Sequence, residues 1–138
     1  MNTSTKSIGL TFIELIVVIA IISITAVIAI NLFSTYTRKG RRIDGINTLL
    51  AISLAEERYR SNNTQYGTLA QVWGGVTTSP QGYYSLTISS VSATGYTITA
   101  TGIGNQAKDA VNTTSCASLT LTVNNGVITK SPSVCWPS

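Results

Sequence analysis

Few residues in this chain can do chemistry, and their spacing narrows what that chemistry is. The 138 residues include no histidine, two cysteines and five acidic side chains. Without histidine there is no Ser-His-Asp or Cys-His catalytic arrangement, and no zinc site built from Cys and His together. Glu14, Asp44, Glu56, Glu57 and Asp109 leave little for a carboxylate metal site or an acid–base pair. Cys116 and Cys135 lack the Cys-x-x-Cys spacing of a reactive thiol pair, and further zinc ligands are wanting. The segment Gly102-Ile103-Gly104-Asn105-Gln106-Ala107 fits G-x-G-x-x-A, but no βαβ unit surrounds it and no acid follows about 20 residues on, so it reads as a loop. No enzyme, cofactor or metal is expected. One charge stands apart: Glu14 lies at the start of a long aliphatic run, and a carboxylate at membrane depth costs about 3 kcal/mol, which marks it as functional.

The element that positions Glu14 is that run. From Leu15 to Ile30 only Ser23 and Thr25 are not aliphatic, and Leu32 and Phe33 extend it. At about 1.5 Å per residue this is roughly 28 Å of helix, enough for a hydrocarbon core of about 30 Å. Beyond it Ile43, Ile46, Leu50 and Leu54 recur at spacings of three or four, and Glu56 with Arg60 forms a favourable i,i+4 pair. One helix from about Thr11 to Arg60 is expected, half anchor and half support, with Gly40 and Gly45 the places where it could bend. The cluster Arg38, Lys39, Arg41 and Arg42 reads first as solvated or headgroup-facing charge, then as inter-subunit contacts, then as a nucleic-acid patch.

After Asn62 the pattern changes to period two. Tyr84, Leu86 and Ile88 alternate with hydroxyl residues, as do Tyr96, Ile98 and Ala100, and Leu119, Leu121 and Val123, while Asn125-Gly126 is a two-residue hairpin signal. The expectation is an α+β chain whose antiparallel sheet is covered by the apolar stripe from Ile43 to Leu54. The formal net charge of +4 lies wholly before Ile43; from Ile43 on, four cations and four anions cancel. A neutral head of this kind speaks against nucleic-acid capture. Orientation is contested: the cations after the span would place the head in the cytoplasm, whereas two cysteines flanking a short C-terminal segment, as a disulfide would, suit a compartment outside it.

Gly9-Leu10-Thr11-Phe12-Ile13-Glu14-Leu15 with the following aliphatic run resembles the N-terminus of type IV prepilins. The likeness continues into Ala55-Glu56-Glu57-Arg58-Tyr59-Arg60-Ser61-Asn62-Asn63-Thr64-Gln65-Tyr66, most like PilE-type pilins and minor pilins of type IVa systems. The resemblance implies a pilin fold and a division into a cleaved leader (1–9), a transmembrane and assembly helix (10–33), an amphipathic helix (34–61) and a β-sheet head (62–138). It implies cleavage after Gly9 by a prepilin peptidase, N-methylation of Leu10, where the family usually has Phe, and pairing of Glu14 with the Leu10 amine of a neighbouring subunit. It makes Cys116 and Cys135 the ends of a disulfide-bounded loop, and resolves the orientation with the leader in the cytoplasm and the head in the periplasm. The implied function is a structural pilus subunit, whose partners are other pilins, the assembly machinery and, before assembly, the inner membrane; the finished pilus is extracellular. Two alternatives stay open: a pseudopilin of a type II secretion system, whose head often uses calcium, and a minor pilin that captures DNA.

Overall fold

The computed structural model describes Gly9 and residues 11–137, with Asn31 and Leu32 described in backbone only. The leader before Gly9, and Leu10 with its expected methylation, lie outside the described residues. Helix α1 runs Phe12–Arg60, within a residue of the expected start and ending at the expected residue. A short α2 follows (Leu69–Trp73), then six strands: β1 (Tyr84–Ser89), β2 (Gly95–Gly102), β3 (Ala110–Val111), β4 (Thr114–Ser115), β5 (Ser118–Asn124) and β6 (Val127–Ser131). The chain divides into two compact units, Met1–Tyr36 and Thr37–Ser138.

In the first unit every described side chain from Thr11 to Ile30 is exposed, and the helix is long and apolar enough to cross a membrane. The two hydroxyl residues between Leu15 and Ile30 are satisfied within the helix: Ser23 donates to the Ile19 carbonyl at 2.7 Å, and Thr25 to the carbonyls of Ile21 and Ile22 at 3.0 Å each. A polar side chain that closes on its own backbone adds little to the cost of immersion in lipid.

In the second unit a four-stranded antiparallel sheet of order β1-β2-β5-β6 packs on the later part of α1. Register explains the alternation. Ile98 sits between Ile88 and Leu121, and Ala100 between Leu86 and Leu119, so apolar side chains share one face. That face buries Tyr84, Leu86, Tyr96, Ile98, Ala100, Leu119, Leu121 and Val123. The other face is a lawn of hydroxyls, including a Thr97–Thr122 pair at 3.2 Å. The β5–β6 hairpin turns through Asn125 and Gly126, both with positive φ (50° and 78°), as a type I′ turn requires.

The expected covering stripe is corrected by the structure. Of its four residues only Ile46 is buried; Ile43, Leu50 and Leu54 are 48%, 42% and 53% exposed. The buried residues of this stretch of α1 are instead Arg42, Asp44, Gly45, Ile46, Thr48, Leu49, Ile52, Ser53 and Glu56. Polar members of this set carry their own partners, so the buried stripe is not the most apolar one. Ser53 shares a 2.8 Å hydrogen bond with the Tyr96 hydroxyl, and Glu56 accepts one from the Gly67 N–H, also at 2.8 Å. The expected Glu56–Arg60 pair is therefore not formed. Arg60 donates to the carbonyls of Asn63 and Ala93 instead. Gly45 allows close approach: a Cβ there would lie 2.9 Å from the Tyr84 ring.

Candidate functional site: the basic end of the head

Sequence groups Arg42 with solvated charges, yet its side chain is only 6% exposed and forms a forked ion pair with Asp109. Its Nε and Nη2 donate to the two carboxylate oxygens at 2.7 and 2.8 Å, and Nη1 reaches the Cys135 carbonyl at 3.5 Å. Planar guanidinium and carboxylate match in this geometry, so one contact ties α1 both to the 3-10 turn Gly104–Lys108 and to the C-terminal loop. The hydrogen bond from Arg42 to Asp109 raises the Arg42 pKa further, against the opposing effect of burial. Gln106 extends the network, donating to the Tyr84 hydroxyl at 2.8 Å, the Arg38 carbonyl at 3.0 Å and Asp109 at 3.2 Å. Burial pushes the Tyr84 hydroxyl up to about 12, so it stays protonated throughout the physiological range.

Cys116 and Cys135 are joined as a disulfide. The loop they close carries β5, β6 and the 3-10 turn Ser133–Cys135. Trp136, just beyond, is buried, with its Nε1 donating to the Ser131 carbonyl at 3.4 Å and Lys130 lying over its ring at 5.3 Å. A cleft of about 380 Å³ between α1 and this loop is lined by Lys39, Arg42, Ile46, Val134 and Trp136, among others. Exposed Lys108 adjoins Asp109, and Arg41 stacks over the Tyr83 ring at 4.5 Å.

This arrangement changes the charge argument. The compact unit begins at Thr37, not at Ile43, and so takes in the basic stretch. From Thr37 to Ser138 there are eight cations and four anions, a net +4. The cations also segregate. Arg38, Lys39, Arg41, Arg42, Lys108 and Lys130 gather where α1 enters the head, accompanied by Asp44 and Asp109. Glu56, Glu57, Arg58 and Arg60 balance at the opposite end of the helix segment.

Glu14 occupies the first turn of α1. It exchanges long hydrogen bonds with Thr11: the Thr11 N–H and hydroxyl approach a Glu14 carboxylate oxygen at 3.4 and 3.5 Å, and the Glu14 N–H approaches the Thr11 hydroxyl at 3.4 Å. This is the reciprocal pattern of a capping box, which the letters Thr11-Phe12-Ile13-Glu14 already contain. The helix N-terminus therefore meets part of the carboxylate's hydrogen-bonding demand.

A single apolar helix continuing into a disulfide-closed sheet head is the architecture of a type IV pilin. Residues 32–120, more than half of the chain, match the family described as type IV minor pilin ComP, DNA uptake sequence receptor, and the chain belongs to that family. No curated protein matches it.

Proposed function

We propose that this minor pilin captures DNA at the pilus surface through the basic end of its head. The observation that carries the reading is the family match, whose description names a DNA uptake sequence receptor. The charge distribution supports it: Lys39, Lys108 and Lys130 are exposed, and of the two acids at this end Asp109 is buried and neutralised by Arg42. Phosphate binding needs clustered cations and carries a steep salt dependence. The full chain in detergent should retard duplex DNA, with affinity falling steeply as salt rises. Replacing Lys39, Lys108 and Lys130 by alanine should flatten the salt slope by about 0.9 for each phosphate left without its cation. Equal retardation and slope in wild type and triple variant would place the DNA elsewhere or remove it.

Presentation at the surface requires assembly, and the same proposal covers that step. A peptidase removes residues 1–9 after Gly9, Leu10 is N-methylated, and the helix of 10–33 holds the chain in the inner membrane until subunits join. In this reading residues 34–61 support the head of 62–138, which is periplasmic first and extracellular in the pilus. Glu14 pairs with the Leu10 amine of a neighbour. Two unit charges about 4 Å apart attract by about 4 kcal/mol at an effective dielectric near 20, which offsets the cost of burial.

A further inference from the structure

The two edges of the four-stranded sheet differ. Along β1 the chain itself occupies the outer edge: the Leu86 N–H donates to the Thr77 carbonyl at 2.8 Å, the Ser79 N–H donates to the Tyr84 carbonyl at 2.9 Å, and Thr78 bridges Ser85. Nothing plays that part at β6. The two-residue turn makes Asn124 and Val127 a hydrogen-bonded pair, so Val127, Thr129 and Ser131 exchange bonds with β5, and Ile128 and Lys130 turn their backbone N–H and C=O outward. Among the described residues no hydrogen bond reaches those outward groups.

A row of open backbone groups is a template for another strand, which proteins usually blunt with proline, a bulge or outward charge. β6 holds no proline, and its pairing with β5 runs without a bulge. Its one charge is turned aside, with the Lys130 ammonium over the Trp136 ring at 5.3 Å. All five residues are exposed, Val127 at 66% and Ile128 at 56%. Ile128 stands opposite Val123, on the apolar face of the sheet, yet lacks the cover that buries Val123.

The residues of this edge also select its occupant. Laid antiparallel to itself about Thr129, Val127-Ile128-Thr129-Lys130-Ser131 brings Ile128 of each copy opposite Lys130 of the other. Those residues carry the outward groups, so about four backbone hydrogen bonds form. Neither lysine faces a like charge, and each lysine stem lies beside an isoleucine. Centring the pairing on Lys130 instead would set two ammonium groups face to face, and centring it on Ile128 would set Lys130 against the turn.

We infer that β6 pairs edge to edge with β6 of a second copy, antiparallel and centred on Thr129, joining two four-stranded sheets into one. A half-turn contact of this kind uses the same patch on both copies and closes at two, whereas a filament grows through contacts between different patches. The pair therefore lies outside the filament repeat and bridges the heads of two filaments. That last step rests on the pilus-subunit reading; the pairing itself does not.

The test uses the purified full chain in detergent, carrying Thr129→Cys. Residues directly opposite in a non-hydrogen-bonded antiparallel pair have Cα atoms about 4.5 Å apart, within disulfide reach. Mild oxidation should therefore yield a dimer linked through position 129. Val127→Cys, which the register sets about 13 Å from its counterpart, should yield at least about tenfold less, a contrast that association through the apolar helix does not produce. Adding Ile128→Lys to Thr129→Cys should cut the linked dimer about tenfold, because like charges then meet at two places, while Ile128→Glu, opposite Lys130, keeps it. These changes fall at exposed positions, and an intact Cys116–Cys135 bridge on peptide mapping checks the fold. No linkage at 129, equal linkage at 127 and 129, or linkage indifferent to Ile128→Lys overturns the pairing. Linkage to a different protein in intact cells gives the edge to a foreign strand and overturns the second copy. Sheared filaments separate the two readings: chain present in filaments without the linkage leaves the subunit reading standing, and a linked dimer of chain absent from filaments keeps the pairing and overturns the bridge.

Discussion

Replacing Asp109 by alanine would leave the Arg42 guanidinium inside the head with only the 3.5 Å contact to the Cys135 carbonyl. Both side chains are nearly inaccessible, 6% and 2% exposed, so water cannot take the carboxylate's place without opening the site. Breaking a buried pair by removing one partner costs about 3–5 kcal/mol, a large fraction of the roughly 5–15 kcal/mol that holds a typical domain together. Gln106 gives up one acceptor in the same change but keeps the Tyr84 hydroxyl and the Arg38 carbonyl, so the added cost there is small. For a unit of about 100 residues, 3 kcal/mol lowers Tm by about 12–24 °C. Thermal unfolding of the full chain in detergent, followed by near-ultraviolet circular dichroism, measures it. The companion variant Arg42→Met with Asp109→Leu removes both charges, and should recover most of the stability because apolar replacement of a buried pair is often neutral. A single variant within about 1 kcal/mol of wild type, or a double variant as unstable as the single, would refute the argument that the pair is sequestered.

Other outcomes follow from the same contacts. Burial raises the Glu56 pKa above its ordinary 4.5, so the folded head holds that proton more tightly than the unfolded chain; stability attributable to this group is present at low pH and falls as pH rises from 4.5 through the folded value. Glu56→Gln should be more stable than wild type at neutral pH, the difference shrinking towards pH 4; a pH-independent difference would remove titration as its cause. Gly45→Ala should destabilise the head in denaturant titration, because crowding the Tyr84 ring costs about 1–3 kcal/mol against a helix-propensity gain of about 1 kcal/mol; a more stable variant would mean the ring yields freely. Glu14→Val should leave membrane insertion intact and sharply reduce the chain's recovery in sheared filaments, and normal recovery would dismiss the proposed pairing with the Leu10 amine.

The long helix and the three alternating strands were legible in the sequence to within a residue or two because each repeats its own period, whereas α2, β3 and β4, of two to five residues, are too short to show one. The aliphatic run, the alternating strands and Asn125-Gly126 are local signals, and local signals need no knowledge of partners. The packing face of α1 was misread for the complementary reason. Hydrophobicity alone selected Ile43, Leu50 and Leu54, while the true face includes Arg42, Ser53 and Glu56, whose burial depends on Asp109, Tyr96 and the Gly67 N–H, far away in the chain. Nothing near Asp109 announces that it meets a residue 67 positions earlier. Charge was misjudged through a boundary: counting the charges from Ile43 excluded the very arginines and lysine that the compact unit contains. The Thr11–Glu14 cap also went unread, although its Thr-x-x-Glu pattern stands in four consecutive residues.

The closed hydrogen bonds of Ser23 and Thr25 bear on how an anchor can change surroundings. A hydroxyl that relied on a neighbouring helix would make departure from that neighbour costly, and one that relied on water would resist immersion. Here both hydroxyls carry their acceptors with them, so transfer of this segment between lipid and a bundle of like helices breaks no hydrogen bond at either residue. The aliphatic surface is equally indifferent, since lipid tails and aliphatic side chains solvate it alike. Such a helix is a solute with nearly matched affinities for two phases. Under the proposed pairing of Glu14 with a neighbour's Leu10 amine, the direction of transfer is then set by the carboxylate at position 14.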